Sequence, residues 1–467
     1  MLETMKRALR GLEGKIINII KRREGTVLLI LANIYMFTII PFSWLYYDIR
    51  YYLEWVDITW HRGVIIARIM PPLTWSPILV VFPPGMFYIY SIATKVSYPP
   101  LPVILFIATH SIARTVLGPL QIVRLIDKIP LIISFNAVFY ILKKRYGWRA
   151  GVLWLLSHFP YITIYSYHTD LIVAFFLLQS FIEFLYRKRV ALTGIYLAIA
   201  ALIKPLVVVV ALVYIVFLAK QKRYRDLSVL ALTGISTALL IIFPFLIADP
   251  YSFLYKAVFF HANRYPQEYS IWAIPIYVVN YDLSRVPNFI IWAWAPIYVV
   301  ALAYILAKIA HEPDAGEETL LKYIILVLLV AIVLNKVGNI NYFSWVLPFI
   351  VIYTVKNKLY TDKLYLILYI FVSIVMVIVA PLTTFYAAFV VQKSVFIIED
   401  LTYYSATGLA QFSFDPYTLQ YIVAEYFRLN LYWLFDLIYA GLNISYIIYT
   451  LIYNGYTVYL LKLVTKK

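Results

Sequence analysis

Apolar residues run along nearly the whole chain in long stretches, separated by short polar interruptions. The hydrocarbon core of a bilayer is about 30 Å thick and takes about 20 residues of helix to cross. Read on that scale, the pattern predicts helical segments near 26–46, 77–96, 101–117, 121–142, 151–167, 170–186, 190–203, 205–219, 227–247, 287–308, 320–335, 342–356, 363–386 and 431–461. Two of these, 190–203 and 205–219, are too short to cross alone. They meet at Lys204-Pro205, which predicts a hairpin with its tip at Lys204. The expected fold class is an all-α polytopic membrane protein of about 13–14 transmembrane segments, with interfacial helices in the outer loops.

The polar interruptions give the orientation. Seven basic side chains, Lys6, Arg7, Arg10, Lys15, Lys21, Arg22 and Arg23, precede the first apolar run. Together they read as a basic amphipathic arm over residues 1–25 at the cytoplasmic surface. Further clusters lie at 143–149, 187–189, 220–225, 356–363 and 462–467. An even number of predicted crossings separates any two of them. All can therefore face the cytoplasm, which places 27 Lys/Arg inside and 9 outside. The long hydrophilic stretches 47–76, 248–286 and 387–430 then lie on the outer face. No predicted cytoplasmic loop could house a nucleotide-binding domain, and the sequence holds no Gly-rich phosphate loop.

Composition agrees with this picture. Of 467 residues 63% are hydrophobic and 13% charged, far from the soluble average of about 45–50% and about 25%. The net charge of +17 comes from clusters between apolar runs and not from one basic face, so nucleic acid is not an expected partner. The chain has no cysteine, which removes disulfides and thiolate chemistry. The six histidines show no metal-ligand spacing.

The first outer loop holds Tyr46-Tyr47-Asp48-Ile49-Arg50-Tyr51-Tyr52-Leu53-Glu54-Trp55-Val56-Asp57. A carboxylate among aromatics at a membrane surface is partly desolvated. That raises its proton affinity and suits Asp48 to act as a general base. The plainer alternative is an interfacial charge that pairs with Arg50 or reaches to water. Arg124 and Asp127, three apart on one predicted helix, read as a simple ion pair. His110 and His158 read as buried polar contacts.

Several segments in chain order resemble the GT-C superfamily of polyprenyl-phosphate-sugar-dependent glycosyltransferases. They are the aromatic-flanked Asp48 just after the first span, Pro83-Pro84-Gly85 at the second, Tyr167-His168-Thr169-Asp170 at the head of a span, and Ala201-Leu202-Ile203-Lys204-Pro205. The stretch from Asn335-Lys336-Val337 to Tyr342-Phe343-Ser344-Trp345 is similar to one in the GPI mannosyltransferase I catalytic subunit and its prokaryotic relatives. The resemblance covers roughly residues 40 to 350. It implies a GT-C-like catalytic region over 26–360, followed by a C-terminal transmembrane region over 361–467. It also implies inverting transfer of a sugar, mannose first, from a polyprenyl (dolichyl) phosphate to a hydroxyl on a glycan or glycolipid acceptor. Asp48 is then the catalytic base, and Lys204, Arg264 and Lys336 hold the donor phosphate. Arg50, Glu54, Asp57, His168, Asp170, Gln267 and Tyr342 are the candidates to contact sugar or acceptor. Where the GPI enzymes carry Asp-x-Asp, this chain has Asp48-Ile49-Arg50. A metal bridging two carboxylates is not expected there, and no cofactor is expected. Membrane lipid is the other expected partner, and the site is expected at the outer face of a multi-pass protein of the cell membrane. The rival class is a lipid-linked-sugar flippase or other carrier, in which buried charges would line a path through the membrane. A third is a non-catalytic scaffold subunit of the same architecture.

The orientation is testable in this naturally cysteine-free chain. Asp57→Cys and Lys222→Cys are expected to react with a membrane-impermeant maleimide from opposite sides of the membrane. Labelling from the same side would overturn the assignment.

Overall fold

The computed structural model describes residues 25–38, 99–115, 120–279, 282–313, 316–386 and 432–466. Within them the chain is mostly helical. The principal helices are α1 (Gly25–Thr38), α2 (Pro100–Thr115), α3 (Leu120–Tyr146), α4 (Trp148–Leu156), α5 (Phe159–Tyr165), α6 (Asp170–Leu185) and α7 (Val190–Ile203). They continue as α8 (Val209–Lys220), α9 (Tyr224–Ala248), α10 (Ile290–His311), α11 (Glu317–Leu334), α12 (Phe343–Lys356), α13 (Lys363–Tyr386) and α14 (Tyr432–Thr465). Four stretches among the described residues are long and apolar enough to cross a membrane: Ile122–Tyr146, Tyr224–Ala248, Ile290–His311 and Asn443–Thr465.

The helices sort into a buried centre and an apolar periphery. α6, α11 and α12 are largely apolar and buried along nearly their whole length, as helices surrounded by other helices must be. α9 presents Leu232, Ile235, Leu239, Leu240 and Phe243 outward, and α10 presents Ile297, Val299, Val300 and Tyr304. A soluble protein rarely exposes so large a continuous apolar surface. A surface of this kind suits a membrane protein.

The basic clusters gather at one end of the bundle. The Tyr146 and Tyr186 hydroxyls meet at 2.9 Å, and Tyr186 donates to Glu317 at 2.9 Å. Glu317 also pairs with Lys356 at 2.9 Å, Arg149 donates to Tyr360 at 2.6 Å, and Lys220 donates to the Ile309 carbonyl at 3.1 Å. Four of the sequence clusters thus converge on one rim. Helix polarity reinforces the arrangement. α3, α8, α10, α12 and α14 each carry basic residues in their last turn, while α9 and α11 begin with acidic ones. Both placements offset the partial charges at helix ends.

One expected segment is broken and the expected hairpin is kept. The run 151–167 is divided between α4 and α5 by extended backbone at Ser157. Phe159-Pro160 then opens α5, with proline in the first turn where its missing N–H is not needed. The 190–219 hairpin is present. Pro205 excludes the helical conformation from the residue before it, and Lys204 is extended at φ −138°, ψ 100°. The two legs part company beyond it: α7 packs on α6 and α9, whereas α8 leans on α10 and α11.

Close approach rather than polarity joins α7 to α9. A Cβ on Gly194 would stand 2.3 Å from Thr233 Oγ1 and 2.5 Å from the Leu230 carbonyl oxygen. Small residues let helix backbones touch this way inside a membrane. Gly194→Leu is therefore expected to cost roughly 1–3 kcal/mol through forced displacement of α9, read as a lower midpoint of thermal unfolding in detergent. Gly455→Leu, where an added Cβ meets nothing within 4 Å, is the control that should change little.

Candidate functional site

Opposite the basic rim, a parallel two-stranded bridge ties two connecting segments together. Gln267 pairs with Val337 and Glu268 with Gly338. The Gln267 N–H donates to the Lys336 carbonyl at 2.9 Å, and the Tyr269 N–H to the Gly338 carbonyl at 3.1 Å. Only glycine fits at 338, because a Cβ there would lie 1.9 Å from the Ser270 nitrogen. Ser270 Oγ donates to the Asn335 carbonyl at 2.7 Å, and the Trp272 indole to the Leu334 carbonyl at 2.9 Å. These bonds satisfy carbonyls at the end of α11 that the helix itself leaves unpaired. Segment 265–278 thus caps α11 and holds Lys336 in place.

Lys336 is 3% exposed. Its Nζ donates to the Ala262 carbonyl at 2.5 Å and lies 5.4 Å from the Trp292 ring and 5.9 Å from the Trp294 ring. Burial, and then the positive field of Arg264, push its pKa down from the ordinary 10.5 to about 8. Arg264 is oriented by its own loop, donating to Gln267 Oε1 at 2.9 Å with His261 Nδ1 at 3.5 Å. Three residues expected at the site, Arg264, Gln267 and Lys336, therefore share one neighbourhood.

A second neighbourhood forms around Asp170, the first residue of α6, which is 0% exposed. Its Oδ1 accepts from the Trp345 indole at 2.7 Å. Its Oδ2 has Lys204 Nζ at 3.8 Å and His168 Nδ1 at 3.8 Å, with no hydrogen-bond partner among the described residues. Lys204 Nζ also lies 5.5 Å from the Tyr342 ring, which stacks on Trp345 at 4.2 Å. The extended break before Pro205 is what releases Lys204 from its helix and turns it toward α6 and α12. His168 follows Tyr167, whose φ of 54° marks the sharp reversal from α5 into α6. His168, Asp170, Lys204 and Tyr342 were expected in the sequence as separate points, and the fold places them in one cluster.

α14 joins the two neighbourhoods. Tyr453 is buried, sits within the electrostatic reach of both Asp170 and Glu268, and donates to the Asn339 carbonyl at 3.4 Å. Asn454 donates to the Tyr269 carbonyl at 2.8 Å, and Tyr446 stacks on Tyr269 at 5.4 Å. Neither Tyr453 nor Asn454 stood out in the sequence, since 44 tyrosines give no contrast.

A third polar group lies beside these. Asp127 Oδ2 meets His110 Nδ1 at 2.8 Å, with both side chains buried. The neighbouring Lys128 donates to the Tyr165 carbonyl at 3.1 Å. The three-residue spacing of Arg124 and Asp127 directs attention along one helix, whereas this partner comes from the next. Lys128 had a readable signal, an ionisable residue inside an apolar run. His110 fits the expectation of a buried polar contact, whereas His158 is only half-buried and faces Ser373 Oγ at 3.5 Å.

Asp48, Arg50, Glu54 and Asp57 lie outside the described residues, as do the arm 1–24 and loop 387–430. No group of three or more His, Cys, Asp or Glu side chains that could hold a metal occurs among the described residues. What the described part offers is three cations held by aromatic rings, carbonyls and one buried carboxylate. Such an arrangement suits a phosphate-sized anion at the edge of an apolar bundle. No family model matches the chain, and neither a curated protein nor a solved structure does.

The lowered pKa of Lys336 has a thermodynamic signature. Between about pH 8 and 10.5 the unfolded chain holds a proton on this amine that the folded chain has shed, so stability rises with pH across that window. Below about 8 the amine is charged in both states and the slope vanishes. The melting temperature of the wild type, relative to Lys336→Gln, is thus expected to climb from about pH 8 to about pH 10 and stay level below. A flat difference throughout would contradict the burial of this charge.

Proposed function

We propose that this protein is an integral-membrane inverting glycosyltransferase of the GT-C type. It moves a sugar, mannose first, from a polyprenyl phosphate to a hydroxyl acceptor at the face opposite the basic rim. The full bundle of 13–14 segments and its orientation, with the basic rim in the cytoplasm, belong to this reading. One observation carries it: Lys204, Arg264 and Lys336, far apart in the sequence, belong to two neighbourhoods that α14 joins through Tyr446, Tyr453 and Asn454, away from the basic clusters. Cations set into an apolar bundle are a cost unless they serve an anion.

In this reading Asp48 takes the proton of the acceptor hydroxyl as that oxygen attacks the anomeric carbon in line. The polyprenyl phosphate leaves with the bonding electron pair, and Arg264 and Lys336 stabilise the charge that develops on it. Lys204 completes the phosphate seat, with Asp170 fixing its direction as a positioning residue. Asp170 therefore does not need to reach the substrate itself. The mechanism calls for no metal.

Asp48→Asn tests the reading with polyprenyl-phosphate mannose as donor. A positioned base contributes about 10²–10⁴-fold, so this variant is expected to bind the donor and transfer at least about a hundredfold more slowly. Glu54→Gln and Asp57→Asn should cost about tenfold or less, and a chelator should change little. Full activity in Asp48→Asn together with loss in Asp57→Asn would move the base to Asp57. Donor binding and translocation across the bilayer without any transfer would favour the carrier, in which the buried His110–Asp127 pair has a ready role as a proton-binding site.

A further inference from the structure

Beyond the proposed reaction, at the opposite end of the bundle, one face of α3 carries a pattern that the packing does not use. Ile122, Ile129, Ile133, Tyr140 and Lys144 recur at spacings of seven, four, seven and four. Those spacings confine them to a wedge of about 60° on one side of the helix. All five are exposed, Ile133 at 62% and Tyr140 at 57%. The helix buries its other sides against α2, α4 and α6. α1 docks beside the strip through reciprocal 3.0 Å amide bonds between Asn33 and Asn136.

The strip has a chemical direction. At 1.5 Å per residue, Ile133 to Lys144 spans about 16 Å, close to the depth of one leaflet. It passes from isoleucine through tyrosine to a cation. Lys144 Nζ lies 5.5 Å from the Tyr140 ring, and the Arg145 guanidinium lies 5.1 Å from the ring of Tyr186 at the end of α6. Neither cation has a carboxylate within ion-pair distance among the described residues, in contrast to Arg187, which is held by Glu183 at 2.5 Å. Aromatic rings at the level of the headgroups, with paired cations just above them, match an anionic amphiphile in charge and in length.

We infer that the α3 strip, ending at Lys144 and Arg145, is a binding site for one phospholipid with a net-negative headgroup. An acyl chain lies along Ile129 and Ile133, the glycerol region sits against Tyr140, and the phosphate rests between the two cations. A zwitterionic lipid offers the same chains but carries its own cation into the seat, so it binds less well. A soluble phosphate ester lacks the chain contacts altogether.

Native mass spectrometry of the full chain in detergent tests this, with phosphatidylglycerol as probe and phosphatidylcholine and glycerol 3-phosphate as comparisons. The wild type is expected to retain phosphatidylglycerol in preference to both. Each surface cation is worth roughly fivefold in affinity for an anionic lipid surface, so Lys144→Gln with Arg145→Gln should weaken retention about thirtyfold. Lys363→Gln with Lys462→Gln removes two exposed cations from the same rim and is expected to leave retention intact. Ile133→Asn should weaken it while leaving both cations in place. Equal retention of phosphatidylcholine would overturn the site, as would equal loss in the Lys363 and Lys462 pair, because either result means a diffuse charged rim. Circular dichroism and monodispersity of each variant separate loss of the lipid from loss of the fold.

Discussion

The buried carboxylate of Asp170 fixes more of this architecture than any other single group. It stands at the first residue of α6, where the positive end of the helix favours an anion. It accepts from an indole on α12 and faces an ammonium group at the α7–α8 break. A charge removed from water is tolerated only when its partners are held in good geometry. Here the partners are the Trp345 indole of α12, Lys204 at the α7–α8 break and His168 beside the sharp turn at Tyr167. Three segments distant in sequence are aligned by one charge that has to be satisfied.

Much of the helical frame was legible because its signals are local. Runs of apolar residues gave the segments, and Pro205 gave the break at Lys204. The gathering of the basic clusters at one rim also followed from their spacing, since each cluster closes or opens a helix. The breaks within segments were less visible. The break at Ser157 has only a short signal, the polar pair Ser157-His158 and the proline at 160, set inside a run that is otherwise apolar.

The candidate site was legible as residues and not as partnerships. Asp170, Lys204 and Tyr342 stood out because charge and motif mark them. Trp345 belonged to a quoted motif, yet its indole bond to Asp170 crosses 175 positions, and no local pattern reports such a bond. His110 and Asp127 show the same limit on a smaller scale. Spacing on one helix suggests a neighbour on that helix, while packing supplied one from the next. Tyr453 was hidden by abundance: a tyrosine carries little information in a chain with 44 of them.

The parting of α7 and α8 beyond Lys204 has a mechanical consequence. Each leg touches both layers, α7 through α6 in the centre and α9 on the periphery, α8 through α11 in the centre and α10 on the periphery. The tip is therefore held from both layers at once, and its position depends on the spacing between them. A force that spreads or compresses the two layers, such as the lateral pressure of the surrounding lipid, acts on this hairpin as on a pair of tongs. The ammonium group at its tip then moves relative to the fixed carboxylate of α6. The distance between the ammonium and the carboxylate is thus tied to the spacing of the helix layers, through backbone and not through any bound molecule.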